Sequence, residues 1–288
     1  MSVKVNDRKI SDIEYENTYS KLYDYIYNKV IHIPNRHHDL LGLEVINSLN
    51  AIYDDIDTIT QLFFDGKRKG VDRYRRCVKT LQDIETLIKA TYTFWNLSGG
   101  KNDIKYVDKK KRKFWSEFIN KEIALIVGVA NKCNPDKNIP IPDIRINVMY
   151  KSDIKDVEFL NNLCELEKIF YRKAINSAYK YKDARLERLL TLSENAFYNA
   201  TQGNNIKVDG DVQKYNKRKK YFYDAISNLY AMNRPIFEIA HRGIICGKEL
   251  EDICVTIDNT KKILSDIQKK VRGNVCQCSL TDNQVIHH

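Results

Sequence analysis

Seven basic side chains and one acid crowd into residues 66–80, GKRKGVDRYRRCVKT, with a single tyrosine among them. Lysine and arginine at that density can neutralise a phosphate backbone, where each contact releases counterions and makes binding salt-dependent. The same density also suits the solvated face of an ordinary helix. The side chains available for a phosphate grip are Lys67, Arg68, Lys69, Arg73, Arg75, Arg76 and Lys79. Two further runs have the same character: Lys109, Lys110, Lys111 and Arg112, and then Lys214, Lys217, Arg218, Lys219 and Lys220. If the first run grips, changing Arg73, Arg75 and Arg76 together to Gln weakens RNA binding and flattens the log-affinity against log-salt slope by about two units. Helicity stays in place, because Gln is a good helix former.

Bond-breaking chemistry has one candidate. Arg234 and His241 lie seven residues apart in RPIFEIAH, on one face of a helix. Such a pair can stabilise charge at a phosphate and move a proton. Pro235 would start or kink that helix, and the filling of Ile236, Phe237 and Ile239 reads as core. No GKS/T phosphate loop, no GxSxG elbow and no helical carboxylate pair beside a His occurs. Arg36-His37-His38-Asp39 is a tempting cluster, but adjacent histidines point in different directions. It reads as a turn, with Asp39 as the N-cap of the next helix. Seven cysteines are scattered without framework spacing and read as reduced thiols. Cys276 and Cys278, followed by His287 and His288, lack the paired CxxC of a zinc site. Neither metal nor cofactor is expected.

The elements that must carry these residues are helices. Gly (11) and Pro (5) are scarce in 288 residues, and 43% of the chain is hydrophobic, enough for a packed core. The net charge of +10 is shared: residues 1–150 hold 25 basic and 20 acidic residues, and residues 151–288 hold 23 and 18, a net +5 each. The charge is therefore not a tail, and it points to nucleic acid or another acidic surface as partner. The start of the chain shows no apolar signal segment, and the longest apolar run, IALIVGVA at 123–130, is too short for a membrane span. A soluble, cytoplasmic protein with no membrane partner is expected.

Three prolines (135, 140, 142) within 133–154 mark a linker. Before it, apolar residues at helical spacing predict four helices. The first runs from a Ser11 cap to Val30, with Pro34 ending it. The second runs from about Asp39 to Phe64, with Leu43, Ile46, Leu49, Ala51, Tyr53, Ile56, Ile59 and Phe63 toward a core. The third covers about 71–96 and the fourth about Val107 to Lys132. Short loops make them an antiparallel four-helix bundle. The second half repeats the scheme: residues 73–95 align with 214–236, matching Leu81 with Phe222 and Ile88 with Leu229, and 45–55 resembles 174–184. The expectation is an all-α chain of two tandem four-helix bundles, at 1–133 and 155–273, with linker 134–154 and a tail at 274–288. The two basic runs then fall at the start of the third helix in each copy, where cations oppose the helix dipole.

The segment YDYIYNKVIHIPNRHHDLLGLEVINSLNAI (23–52), in which a helix ends in an apolar-Pro-x-Arg turn and Leu-Gly opens the next, carries a resemblance. With the basic stretch at 67–79 and FWSEFINKEIALIVGVANK (114–132), residues 15–133 resemble the accessory variability determinants of diversity-generating retroelements. Those are related to the four-helix proteins of ribosomal-RNA intervening sequences. The resemblance implies a non-enzymatic, basic, nucleic-acid-binding subunit that associates with a reverse transcriptase and its template RNA or cDNA and forms a ring-like homo-oligomer. The second, divergent half departs from that family and puts a simple ring in doubt. Two other readings stand beside it. One is an all-α ribonuclease of the HEPN class, which Arg234 and His241 resemble. The other is a structural helical oligomer without nucleic-acid function.

Overall fold

The computed structural model describes residues 13–67, 70–97, 107, 109–134, 140–147, 154, 156–178 and 183–282, without the side chains of 36, 109, 177, 178 and 270–282. Regular structure among them is all helix. The chain divides into two compact units, residues 1–149 and 150–288.

The first unit holds α1 (Glu14–Val30), α2 (Leu43–Phe64), α3 (Val71–Leu97) and α4 (Lys109–Cys133). Each packs on its neighbour in sequence, and α4 returns to pack on α1. The cause is apolar spacing: Tyr15, Tyr19, Leu22, Ile26 and Val30 form one buried stripe on α1. Along α2 the buried stripe is Val45, Leu49, Ile52, Ile56, Ile59 and Phe63. Leu43 and Tyr53, expected in the core, are exposed, because they fall off that stripe. At the far end Trp95 and Trp115 meet edge to face, 5.8 Å between centroids.

Helical structure resumes directly after Pro34 as a turn at Asn35–His37 and a π-helical turn at His38–Gly42, which run into α2. Asp39 is therefore inside the π turn and is not the N-cap; Pro34 takes the cap position, and its fixed φ sets the chain up for helix one turn earlier. A Cβ at Gly42 would stand 3.1 Å from the His38 ring and 3.2 Å from Ile33, so the Leu-Gly step is what lets this turn close.

The expected linker is not free along its described length. Residues 140–147 pack within the first unit, with Ile144 and Ile146 buried and Asp143 and Arg145 exposed. Asn120 acts as a substitute strand edge: its Nδ2 donates to the Ile146 carbonyl (2.8 Å) and its Oδ1 accepts from the Ile146 N–H (3.1 Å). The Tyr92 hydroxyl treats Asn147 the same way, accepting from its N–H at 2.9 Å and donating to its carbonyl at 3.2 Å. Residues 135–139 and 148–153 lie outside the described residues. Changing Asn120 to Ala removes two hydrogen bonds of about 1 kcal/mol each. Trypsin cleavage after Arg145 is then expected to accelerate by roughly tenfold or more, since cleavage follows local opening. Unchanged cleavage would mean that other interactions hold the segment.

The second unit holds α5 (Glu158–Ala178), α6 (Ala184–Asn205), α7 (Val212–Ala231), α8 (Asn233–His241) and α9 (Gly247–Asp282). Here α5 packs on α6, α6 on α7, α7 on α9 and α9 on α5, while the short α8 rests on α6. Asp183 and Asp211 cap α6 and α7 with side-chain oxygens on the first backbone N–H groups. Gly203 is fixed by a close approach: a Cβ there would stand 2.6 Å from the buried Phe222 ring. Helix α9 continues to Asp282, past the residue where a tail was expected to begin.

The aligned third helices share a core register. Leu81, Ile84 and Ile88 on α3 and Phe222, Ala225 and Leu229 on α7 are all buried. The pairing of 45–55 with 174–184 does not hold: the first lies inside α2, whereas the second spans the end of α5 and the first residue of α6.

Candidate nucleic-acid interface

The opening basic stretch is largely committed to its own fold. Arg73 points inward from α3, 5% exposed, with its guanidinium 5.1 Å from the Phe63 ring centroid. It hydrogen-bonds the Tyr15 hydroxyl and stands beside Cys77 and Cys133. The free Cys77 thiol hydrogen-bonds the Cys133 sulfur, which holds Cys133 below the ordinary thiol range at about 7 and pushes Cys77 up; the Arg73 charge lowers both. Arg76 and Lys79 are each 2.7 Å from the buried Asp55 carboxylate, and Lys79 also meets Asp83 at 2.8 Å. Lys67 and Arg75 are exposed, and Arg68 and Lys69 lie outside the described residues. The Gln triple at Arg73, Arg75 and Arg76 would therefore disturb a core and an ion-pair network, and Arg75 alone of the three points to solvent.

The second run divides in the same way. Lys110 and Lys111 are exposed, and Lys109 opens α4, its side chain undescribed. Arg112 is 2% exposed and donates through Nε to the Val107 carbonyl (2.9 Å) and through Nη2 to the Trp95 carbonyl (2.6 Å), its guanidinium 5.6 Å from the Trp95 ring centroid. It closes the C-terminal end of α3.

On α7 three of the five cations face outward. Lys214, Lys219 and Lys220 are exposed, and Lys217 and Arg218 are half-buried. Arg218 lies over the Phe222 ring at 5.3 Å, and burial lowers its pKa. The Asp211 cap is held below the carboxylate range, chiefly by the Lys214 backbone N–H. Lys214 Nζ is 3.7 Å from Asp211.

Two residues that sequence reasoning did not single out complete this face. Tyr223 and Tyr230 are 66% and 60% exposed. Tyr223 follows Lys219 by four residues and Lys220 by three, and Tyr230 follows Tyr223 by seven, so all four share one face of α7. Lys261 of α9 stands 4.4 Å over the Tyr230 ring. Exposed aromatics interleaved with lysines give stacking surface beside phosphate charge, the combination that holds single strands. The i, i+4, i+11 spacing was the available signal, but in a chain with 18 Tyr and 10 Phe it does not separate surface from core.

The Arg234–His241 pair is on the surface of α8. Arg234 Nε donates to Glu238 at 3.0 Å, His241 is exposed, and between them Ile236 and Ile239 are buried. Phe237, expected in the core, is 74% exposed. Glu238 also binds Arg185 at 2.8 Å, so the carboxylate ties α8 to α6. Pro235 sits in the first turn of α8, where its missing N–H costs nothing. Among the described residues no group of three His, Cys, Asp or Glu could hold a metal ion, and no helix is long and apolar enough to cross a membrane. His287 and His288 are outside the described residues, as are the side chains of Cys276 and Cys278. Comparison with protein-family models, with curated proteins and with solved structures finds no match to this chain.

Proposed function

We propose that this protein is a non-enzymatic nucleic-acid-binding subunit, working beside the reverse transcriptase of a diversity-generating retroelement and holding its template RNA or cDNA. The observation that carries the binding half is the outward face of α7, where Lys219 and Lys220 stand beside the exposed rings of Tyr223 and Tyr230. The reverse-transcriptase half rests on the resemblance of residues 15–133. In this reading each unit is a four-helix bundle, the two stand in tandem across the Pro-rich stretch, and copies of the chain assemble into a homo-oligomer. The polymerase makes the copy, and this chain supplies positive surface and geometry.

Co-expression with a cognate reverse transcriptase tests the partner. The two proteins are expected to co-purify with RNA retained, and nuclease treatment removes the RNA without separating them. Failure to associate at low salt would overturn the accessory role and leave a helical oligomer.

A further inference from the structure

Two cysteines far apart in sequence meet in the core of the first unit. Cys77 lies early in α3 and Cys133 is the last residue of α4, and these two helices pack on each other. Both are free thiols, 0% and 3% exposed. The Cys77 thiol donates to the Cys133 sulfur, and a protonated Cys133 donates on to the Val129 carbonyl at 3.1 Å. Burial among apolar groups alone leaves a cysteine inert, with its pKa raised. Here the hydrogen bond from Cys77, helped by the Arg73 charge, keeps Cys133 at about 7. A buried pair of this kind holds one sulfur ready as the nucleophile and the other in contact with it.

From this contact between the sulfurs of α3 and α4 we infer that Cys77 and Cys133 are the site of a reversible disulfide, formed with a peroxide as oxidant, that braces the two helices. The Cys133 thiolate attacks one peroxide oxygen, the O–O bond breaks, and hydroxide leaves a sulfenic acid on Cys133. The Cys77 sulfur then attacks the Cys133 sulfur; the S–O bond breaks, a second hydroxide leaves, and Cys77 gives up its proton. One proton from each cysteine meets the two hydroxides. Two thiols and one hydrogen peroxide thus become one disulfide and two waters. The sulfurs, already in hydrogen-bonding contact, close to about 2.05 Å. Helix ends are among the first elements to open locally, so the position of Cys133 at the end of α4 gives a small oxidant its way in. The bond encloses residues 78–132 and removes that loop's freedom from the unfolded chain, which favours the folded unit. The inference stands apart from the nucleic-acid reading.

The test treats the full, folded, reduced chain with hydrogen peroxide, blocks the remaining thiols with iodoacetamide and maps the tryptic peptides by mass spectrometry. The peptides CVK (77–79) and CNPDK (133–137) are expected joined, two hydrogens lighter than their sum, and parted again by dithiothreitol. The yield of this link should fall severalfold when the chain is oxidised in denaturant, where seven cysteines pair without a native neighbour. Oxidation should also raise the urea midpoint of the unit, reported by its two tryptophans, by on the order of 1 M. In Cys77→Ser the resolving sulfur is gone, and dimedone should capture Cys133 as a sulfenic acid severalfold more than in the native chain. Mapping of the native chain needs no variant, so it decides the matter even where Cys77→Ser fails to fold. Cys77 and Cys133 recovered as free thiols after the exposed Cys246 and Cys254 have been oxidised would overturn the site. An equal yield of the link in denaturant would overturn its origin in the fold, and a link that leaves the midpoint unmoved would overturn the brace.

Discussion

Changing Glu122 to Met is expected to stabilise the unit of residues 1–149, by a margin that widens as pH rises from 5 to 8. Glu122 sits on the core face of α4 with no solvent exposure, and neither of its carboxyl oxygens has a hydrogen-bond partner among the described residues. Burial holds its pKa well above the carboxylate range; Lys121 pulls it down and Glu14 pushes it up, but desolvation dominates. The folded state therefore keeps a proton that the unfolded chain releases above its ordinary carboxylate pKa. The folded state binds more protons, so stability falls as pH rises through that window, by about 1.4 kcal/mol per pH unit until the folded pKa is reached. Even neutral, an unpaired buried carboxyl costs about 1–3 kcal/mol. Met fills a similar volume without either penalty. The chain's two tryptophans, Trp95 and Trp115, are both in this unit, so denaturant unfolding followed by their fluorescence reports it alone. Wild type and Glu122→Met should converge toward pH 5 and separate toward pH 8. Parallel pH profiles would show Glu122 ionised or solvated in the folded protein.

Helix content and the run of apolar stripes were legible because an amphipathic helix must repeat its apolar residues with a period near 3.6. Scarce Gly and Pro left little else for the chain to form. What was not legible was where long side chains turn. Arg73 and Arg112 read as surface charge in a basic run, yet each enters the core, because a neighbouring helix supplies a ring and polar groups for the guanidinium. Arg76 and Lys79 read as free cations until α2 brings the Asp55 carboxylate to them across the helix pair. Three of these pairings, Arg112 with Trp95 and Arg76 and Lys79 with Asp55, join residues 17 to 24 positions apart, beyond any local pattern. The Pro-rich stretch reads as a linker from its dihedral restrictions, yet residues 140–147 are held by side chains of the first unit. Its anchoring by Asn120 and Tyr92, 26 and 55 residues upstream, has no local signature. Phe237 and Tyr223 show the converse limit: composition cannot say which aromatics stay outside.

The α7 face carries the other large effect. Lys214, Lys219 and Lys220 changed together to Gln remove three exposed cations of α7, two of them beside Tyr223, while retaining a good helix former at each site. Every cation withdrawn from the phosphates of a single strand flattens the log-affinity against log-salt slope by roughly 0.7. The triple is thus expected to flatten it by about two units and to weaken binding about a hundredfold near 0.1 M salt. Lys67 and Arg75, exposed cations of the opening stretch, should together account for about 1.4 units at most.

The salt dependence of single-stranded RNA affinity, measured for the full chain, for the α7 triple and for a Lys67→Gln/Arg75→Gln double, tests the proposed function most directly. The result expected is a steep slope for the native protein, a slope about two units flatter for the α7 triple, and a smaller change for the double. A native protein without salt-dependent affinity, or an α7 triple indistinguishable from it, would contradict the nucleic-acid surface and with it the proposed function.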